Sequence, residues 1–145
     1  MSKKEQFAYW AGIIDGEGCI QLNKRIDKRY NSVEYYLRVR IAMTVAKELL
    51  EGLKKQWGGS IYIRYPKNKK HKDQCEWQLI GLKSEYFLKA ILPYVFIKKA
   101  QIENALEFRA KTYPLGSEKW RKIPGEILKK REEYYQKGKV LMRMG

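Results

Sequence analysis

Two stretches of strict two-residue alternation constrain this chain more than anything else in it. From Cys19 to about Arg25, Ile20 and Leu22 point one way and Gln21, Asn23 and Arg25 the other. From Tyr35 to Met43, Leu37, Val39, Ile41 and Met43 stand opposite Tyr36, Arg38, Arg40 and Ala42. A strand sends successive side chains to opposite faces, so each stretch reads as a half-buried antiparallel strand with one apolar and one polar face. The polar turn Asp27 to Ser32 joins them. Shorter alternations follow at Ser60–Tyr65, with Ile61 and Ile63 inward and Tyr62 and Arg64 outward, and at Gln74–Gly81, with Trp77 and Leu79 inward and Glu76 and Gln78 outward.

Helical spacing fills the gaps. Glu5 to Asp15 is a mostly apolar helix ended by Gly16 and Gly18. Ala46–Trp57 gathers Leu49, Leu50, Leu53 and Trp57 on one face, with Thr44 as a candidate cap and Gly58-Gly59 as its stop. Lys83–Leu92 reads as a helix broken at Pro93, Lys98–Lys111 as a longer one, and about Glu126–Gln136 as another beyond Pro124-Gly125. The expected fold is α+β, in the order αββαββα with a C-terminal helical tail. Residues 1–112 form the core and 113–145 a tail of the same domain. No internal repeat or low-complexity segment interrupts it.

Composition then narrows the function. At 145 residues, 44% hydrophobic and 13% aromatic, the chain is long and apolar enough for one core. Cys19 and Cys75 are too few for a disulfide framework or a four-thiolate zinc site, and His71 is the only histidine, which excludes a His-rich site. No apolar run approaches the roughly 18–20 residues of a membrane span, and the N-terminus does not resemble a signal peptide. These features predict a reduced, intracellular, soluble domain. Lys and Arg number 31 against 16 Asp and Glu, a net charge of +15, which predicts a polyanionic partner, nucleic acid ahead of an anionic membrane. The polar strand faces agree with that choice. Lys and Glu would be the usual residues on a merely solvated sheet, yet Gln21, Asn23, Arg25, Arg38, Arg40, Tyr62, Arg64 and Gln78 carry forked or flat groups suited to base edges and phosphates, with Glu76 the one acid. The plainer alternative, an ordinary solvated face, stands beside this one.

Trp10-Ala11-Gly12-Ile13-Ile14-Asp15-Gly16-Glu17-Gly18 closely resembles the LAGLIDADG motif of homing endonucleases. On residue chemistry alone, Ala8, Ala11 and Gly12 form a stripe across which a second helix can approach closely. Glu17 lies between two glycines at the helix end, and two such carboxylates about a dyad would form a hard oxygen cage. A buried helix with a glycine-rich cap accounts for the same nine residues. The resemblance, however, continues through the ββαββα order, Trp57-Gly58-Gly59-Ser60-Ile61-Tyr62, and Leu92-Pro93-Tyr94 with Ile97-Lys98-Lys99-Ala100-Gln101, covering about residues 5 to 112.

The resemblance implies a saddle-shaped sheet with helices on one face, and, because the motif occurs once, a C2 homodimer joined through Ala8, Ala11, Gly12 and Asp15. The nearest internal echo, Leu79-Ile80-Gly81-Leu82, lacks the acids. It implies that Glu17 is the catalytic carboxylate and a metal ligand, where many members carry Asp, and that the Gly16 carbonyl is a second ligand. Asp15 would be structural. Mg²⁺ is the implied cofactor, with Mn²⁺ or Ca²⁺ able to occupy the same sites. Lys98 matches the basic residue near the scissile phosphate, with Lys99 as a competing register. The strand faces, Gln21, Asn23, Arg25, Tyr36, Arg38, Arg40, Tyr62, Arg64, Glu76 and Gln78, would read the major groove of double-stranded DNA. Lys69 and Lys70, in the loop 67–72, would follow phosphates, unless that loop is only solvated. Cys19 reads as a packing or contact residue. One departure stands out: Met43-Thr44-Val45-Ala46 offers no amide where the family often has one beside the attacking water.

The implied activity is Mg²⁺-dependent, site-specific double-strand cleavage of a long, nearly palindromic target, leaving 5′-phosphate and 3′-hydroxyl ends, by an enzyme of a mobile intron. Its implied setting is a prokaryotic cytoplasm or nucleoid, or an organelle matrix. Two rivals share the scaffold: a maturase that binds host intron RNA, and a DNA-binding protein that does not cut.

Overall fold

A computed structural model of the chain describes residues 1–44, 46–68, 70, 72–113 and 123–144. The elements follow the order α1 (Lys3–Glu17), β1 (Gly18–Asp27), β2 (Ser32–Thr44), α2 (Lys47–Trp57), β3 (Ser60–Arg64), β4 (Gln74–Ile80), α3 (Leu82–Ile91), a 3-10 turn (Leu92–Tyr94), α4 (Lys99–Thr112) and α5 (Gly125–Met144). The four strands form one antiparallel sheet in the order β1-β2-β4-β3. The alternation between buried and accessible residues in β1 and β2 matches the sequence pattern.

The core lies between the apolar sheet face and the helices. Ile20, Leu22, Leu37, Val39, Ile41, Trp77 and Leu79 pack with Trp10, Ala11 and Ile14 of α1, Leu50 and Leu53 of α2, Phe87, Leu88 and Ile91 of α3, and Ile102, Ala105 and Phe108 of α4. Trp77 meets Phe87 edge-on at 5.4 Å between ring centroids and donates its indole N–H to the Gly58 carbonyl at 2.9 Å. That junction needs Gly59: its φ is +91°, and a Cβ there would lie 2.3 Å from the Gln78 carbonyl.

Several boundaries differ from expectation. α1 starts earlier because Ser2 and Glu5 form a reciprocal capping box. It also continues through Gly16 to Glu17, so Glu17 is the last residue of the helix and not a residue beyond it. Gly18 makes the turn into β1, where a Cβ would lie 2.8 Å from the Ile14 backbone. Thr44 belongs to β2 and caps nothing; Ala46 precedes α2 without any side-chain cap. Ile61 is half-buried against the core and Ile63 is exposed, on a short strand at the edge of the sheet.

The C-terminal helix is longer than its polar sequence suggests, and it docks on α4 and β1. Arg131, its one buried residue, donates to the Thr112 carbonyl at 2.7 Å. Its guanidinium lies 3.8 Å from the Tyr113 ring centroid, with Arg109 at 4.5 Å from the same centroid. No helix among the described residues is long and apolar enough to cross a membrane.

Candidate active site and nucleic-acid interface

Helix α1 presents two sides. Trp10, Ala11 and Ile14 face the core, while Ala8, Gly12 and Gly16, spaced four apart on one stripe, are exposed. A Cβ at Gly12 or Gly16 would meet nothing within 4 Å among the described residues. Glu17 is exposed at the end of this helix. Of the four expected seam residues, Ala11 and Asp15 do not share this exposed stripe. Ala11 is fully buried in its own core, because it shares the helix face of Trp10 and Ile14. Asp15 turns its carboxylate away from the stripe, toward the segment before α4.

That segment ties the helix end down. Asp15 accepts the backbone N–H groups of Phe96, Ile97 and Lys98 at 2.9, 3.1 and 3.0 Å. The Lys98 ammonium donates to the carbonyls of Ile14 and Asp15, each at 2.9 Å. Lys98 thus reaches the helix end that carries Glu17, whereas Lys99 is exposed as the first residue of α4. Gln101 is buried on the core side. Phe96 and Ile97, beside the same helix end, are 87% and 66% exposed.

The polar sheet face carries Cys19, Gln21, Asn23 and Arg25 of β1, alternate residues of β2 from Glu34 to Thr44, Gln74, Glu76, Gln78 and Ile80 of β4, and Tyr62 and Arg64 of β3. Many of these groups are already oriented across strands. Arg38 donates to Gln21 Oε1 from both Nε (3.0 Å) and Nη2 (2.6 Å). Arg25 pairs with Glu34 at 2.6 Å. Glu34 also lies on this face, because β2 begins at Ser32 and carries the alternation beyond Tyr36.

Glu76 is the larger correction. It has outward parity, yet it is only 5% exposed, because Arg40 and Arg64 close over it. Asn23, Tyr36 and Gln78 are half-buried, and Tyr62 is exposed. Gln74, unremarked in the sequence, is exposed on this face opposite Thr44, so it places an amide across from the position that lacks one. Lys70 is exposed, its backbone N–H donating to Asn68 Oδ1 at 3.1 Å. Lys69 and His71 lie outside the described residues.

With this geometry in hand, residues 10–102 match the family model described as LAGLIDADG endonuclease, and the chain belongs to that family. No curated protein matches it in sequence. Among solved structures, the homing endonuclease I-CvuI in complex with its target, in the presence of Ca, is similar with a TM-score of 0.75 and 20% identity over 96% of this chain and 83% of that one. The archaeal intron-encoded homing endonuclease I-Vdi141I complexed with DNA gives 0.73 and 17%, over 97% and 86%. I-GzeII in complex with a DNA target gives 0.68 and 17%, over 93% of this chain but 44% of that one. These likenesses establish the α+β fold with its four-stranded antiparallel sheet.

Proposed function

We propose that two copies of this chain form a C2 dimer that cuts both strands of a long, nearly palindromic DNA duplex with Mg²⁺. The observation that carries this reading is the placement of Glu17: an exposed carboxylate at the end of a helix whose outer stripe, Ala8, Gly12 and Gly16, is bare of side-chain bulk. A twofold axis along that stripe would bring two Glu17 residues together, and exposed Phe96 and Ile97 would extend the seam with apolar surface. The length of I-GzeII has room for two units of this size, as a dimer would supply.

The donor set fits a hard cation. Glu17 offers a carboxylate and Gly16 a carbonyl at the helix end, and oxygen is what Mg²⁺ and Ca²⁺ select. No three acids, histidines or cysteines cluster among the described residues, so one chain supplies only part of a coordination shell. The second copy and DNA phosphates would complete it. Bound there, the metal would activate water and offset charge at the scissile phosphate. Lys98 adds a fixed positive charge at the same helix end, and the polar sheet face meets the major groove of one half-site.

The test incubates purified protein with a randomised duplex library and Mg²⁺, sequences the cut ends, and runs Glu17→Gln in parallel. Recurrent cuts at a near-palindromic site, absent from E17Q while binding persists, are expected. Sequence-selective binding by the wild type without any cuts would overturn the nuclease reading and leave a DNA-binding protein. One departure favours that second reading: β2 ends in Thr44, with no amide of its own at that position.

A further inference from the structure

Glu76 is a buried acid in the middle of the polar face of a chain with net charge +15. Its cross-strand neighbours are Ala42 on β2 and Tyr62 on β3, while Arg40 lies opposite Gln78 and Arg64 opposite Gln74, on the two diagonals. Long side chains reach a diagonal neighbour across a sheet, and small Ala42 leaves room for them. Both guanidinium groups converge on the same oxygen: Arg40 Nε is 3.4 Å and Arg64 Nη2 3.3 Å from Glu76 Oε1. The Glu76 side chain is 7% exposed, against 30% for Arg40 and 63% for Arg64.

A carboxylate so covered cannot reach a base edge, so it does not read sequence itself. A buried charge is costly unless paired, and the two arginines pair it. The reverse effect matters more for function. Each arginine has one nitrogen within ion-pair reach of Glu76 and keeps its remaining N–H donors for a partner, with the side chain drawn toward one orientation. Fixed rotamers lose less entropy on binding, and a fixed plane separates a guanine edge, with its two acceptors, from other bases. We infer that Glu76 is a positioning residue, orienting Arg40 and Arg64 as a coupled pair of base readers; this rests on the DNA-reading function proposed above.

The test selects bound duplexes from a randomised library with the wild type, Glu76→Gln, Arg40→Lys and Arg64→Lys, alongside unfolding midpoints. Gln keeps the shape and removes the charge. The expected result is that E76Q loses roughly tenfold of its preference at the same base pairs that R40K and R64K relax, and keeps it elsewhere. Its binding to random duplex should be equal to the wild type or stronger, since one negative charge is gone.

Unchanged preference in E76Q would overturn the inference, and so would a loss spread evenly over the site in step with a lowered unfolding midpoint. Should E76Q not fold, Glu76→Met, which leaves no buried polar atom unpaired, carries the same expectation and the same refutation. A wild type that selects no sequence overturns the DNA-reading function and this inference with it. A selective wild type with an equally selective E76Q overturns this inference alone.

Discussion

Asp15 and Lys98 each hold the end of the other's helix. The Asp15 carboxylate takes three backbone N–H groups leading into α4, while the Lys98 ammonium takes the last carbonyls of α1 at Ile14 and Asp15. Neither helix supplies the charge itself: α1 has no basic residue in its last turn and α4 no acidic residue in its first. An anion at a helix N-terminus and a cation at a C-terminus both oppose the exposed ends of the helix dipole. The exchange fixes the helix end that carries Glu17.

Asp15→Asn is therefore expected to destabilise the protein by about 1–3 kcal/mol, the range for losing charge-assisted hydrogen bonds at a cap. The amide oxygen can still accept, but its NH₂ group would face N–H donors. Urea unfolding of D15N against the wild type measures the loss. An unchanged midpoint would show that the exchange contributes nothing to stability.

Gly18→Ala should also destabilise, for a different reason. The added Cβ would lie 2.8 Å from Ile14 Cα, O and Cδ1, so the helix-to-strand turn must shift. A cost of about 1–3 kcal/mol is typical of such overpacking. The same urea titration reads it, and a midpoint equal to the wild type would mean that the turn relaxes freely.

Gly12→Leu separates folding from assembly. Nothing among the described residues lies within 4 Å of a Cβ at Gly12, so the chain's own packing should tolerate the larger residue. Two helices could then no longer approach along the Ala8, Gly12 and Gly16 stripe. Sedimentation should show a dimer for the wild type and a folded monomer for G12L. A dimeric G12L would refute α1 as the seam.

What the sequence made legible follows what it encodes locally. The alternation of Ile20 and Leu22, and of Leu37, Val39 and Ile41, marked both the strands and their buried face, because parity alone decides which side is apolar. The motif put Glu17 just beyond the helix end, whereas Glu17 is the helix's own last residue and exposed there. The Ser2 and Glu5 capping box is likewise a local feature, carried by a spacing of three residues. Other features were out of reach because they depend on distant residues. Asp15 and Lys98 are 83 positions apart, and nothing near Asp15 says that its carboxylate turns from the stripe. Parity correctly put Glu76 on the outer face, but its burial depends on arginines from two other strands.

The docking of α5 gives the last prediction, a dependence on pH. Glu132 on α5 accepts hydrogen bonds from Tyr35 and Gln136 and pairs with Lys24 at 3.1 Å. The Tyr35 hydroxyl, then Gln136 and Lys24, hold its pKa down from 4.5 to about 2, against a smaller opposing effect of burial. A depressed carboxylate stabilises the fold in full above its unfolded pKa and loses that contribution as pH falls through the folded one. Burial, then the Glu132 contact, raise Tyr35 above its usual 10.0, so its share is complete below that value and is lost as pH rises through the folded pKa. The stabilisation that wild type holds over Glu132→Gln should thus be full between about pH 4.5 and 10 and shrink toward pH 2. Urea midpoints of both proteins at pH 6, 4 and 2.5 measure that difference, in which the other carboxylates cancel. A gap that stays constant with pH would show that the Glu132 charge does not hold α5 to the sheet.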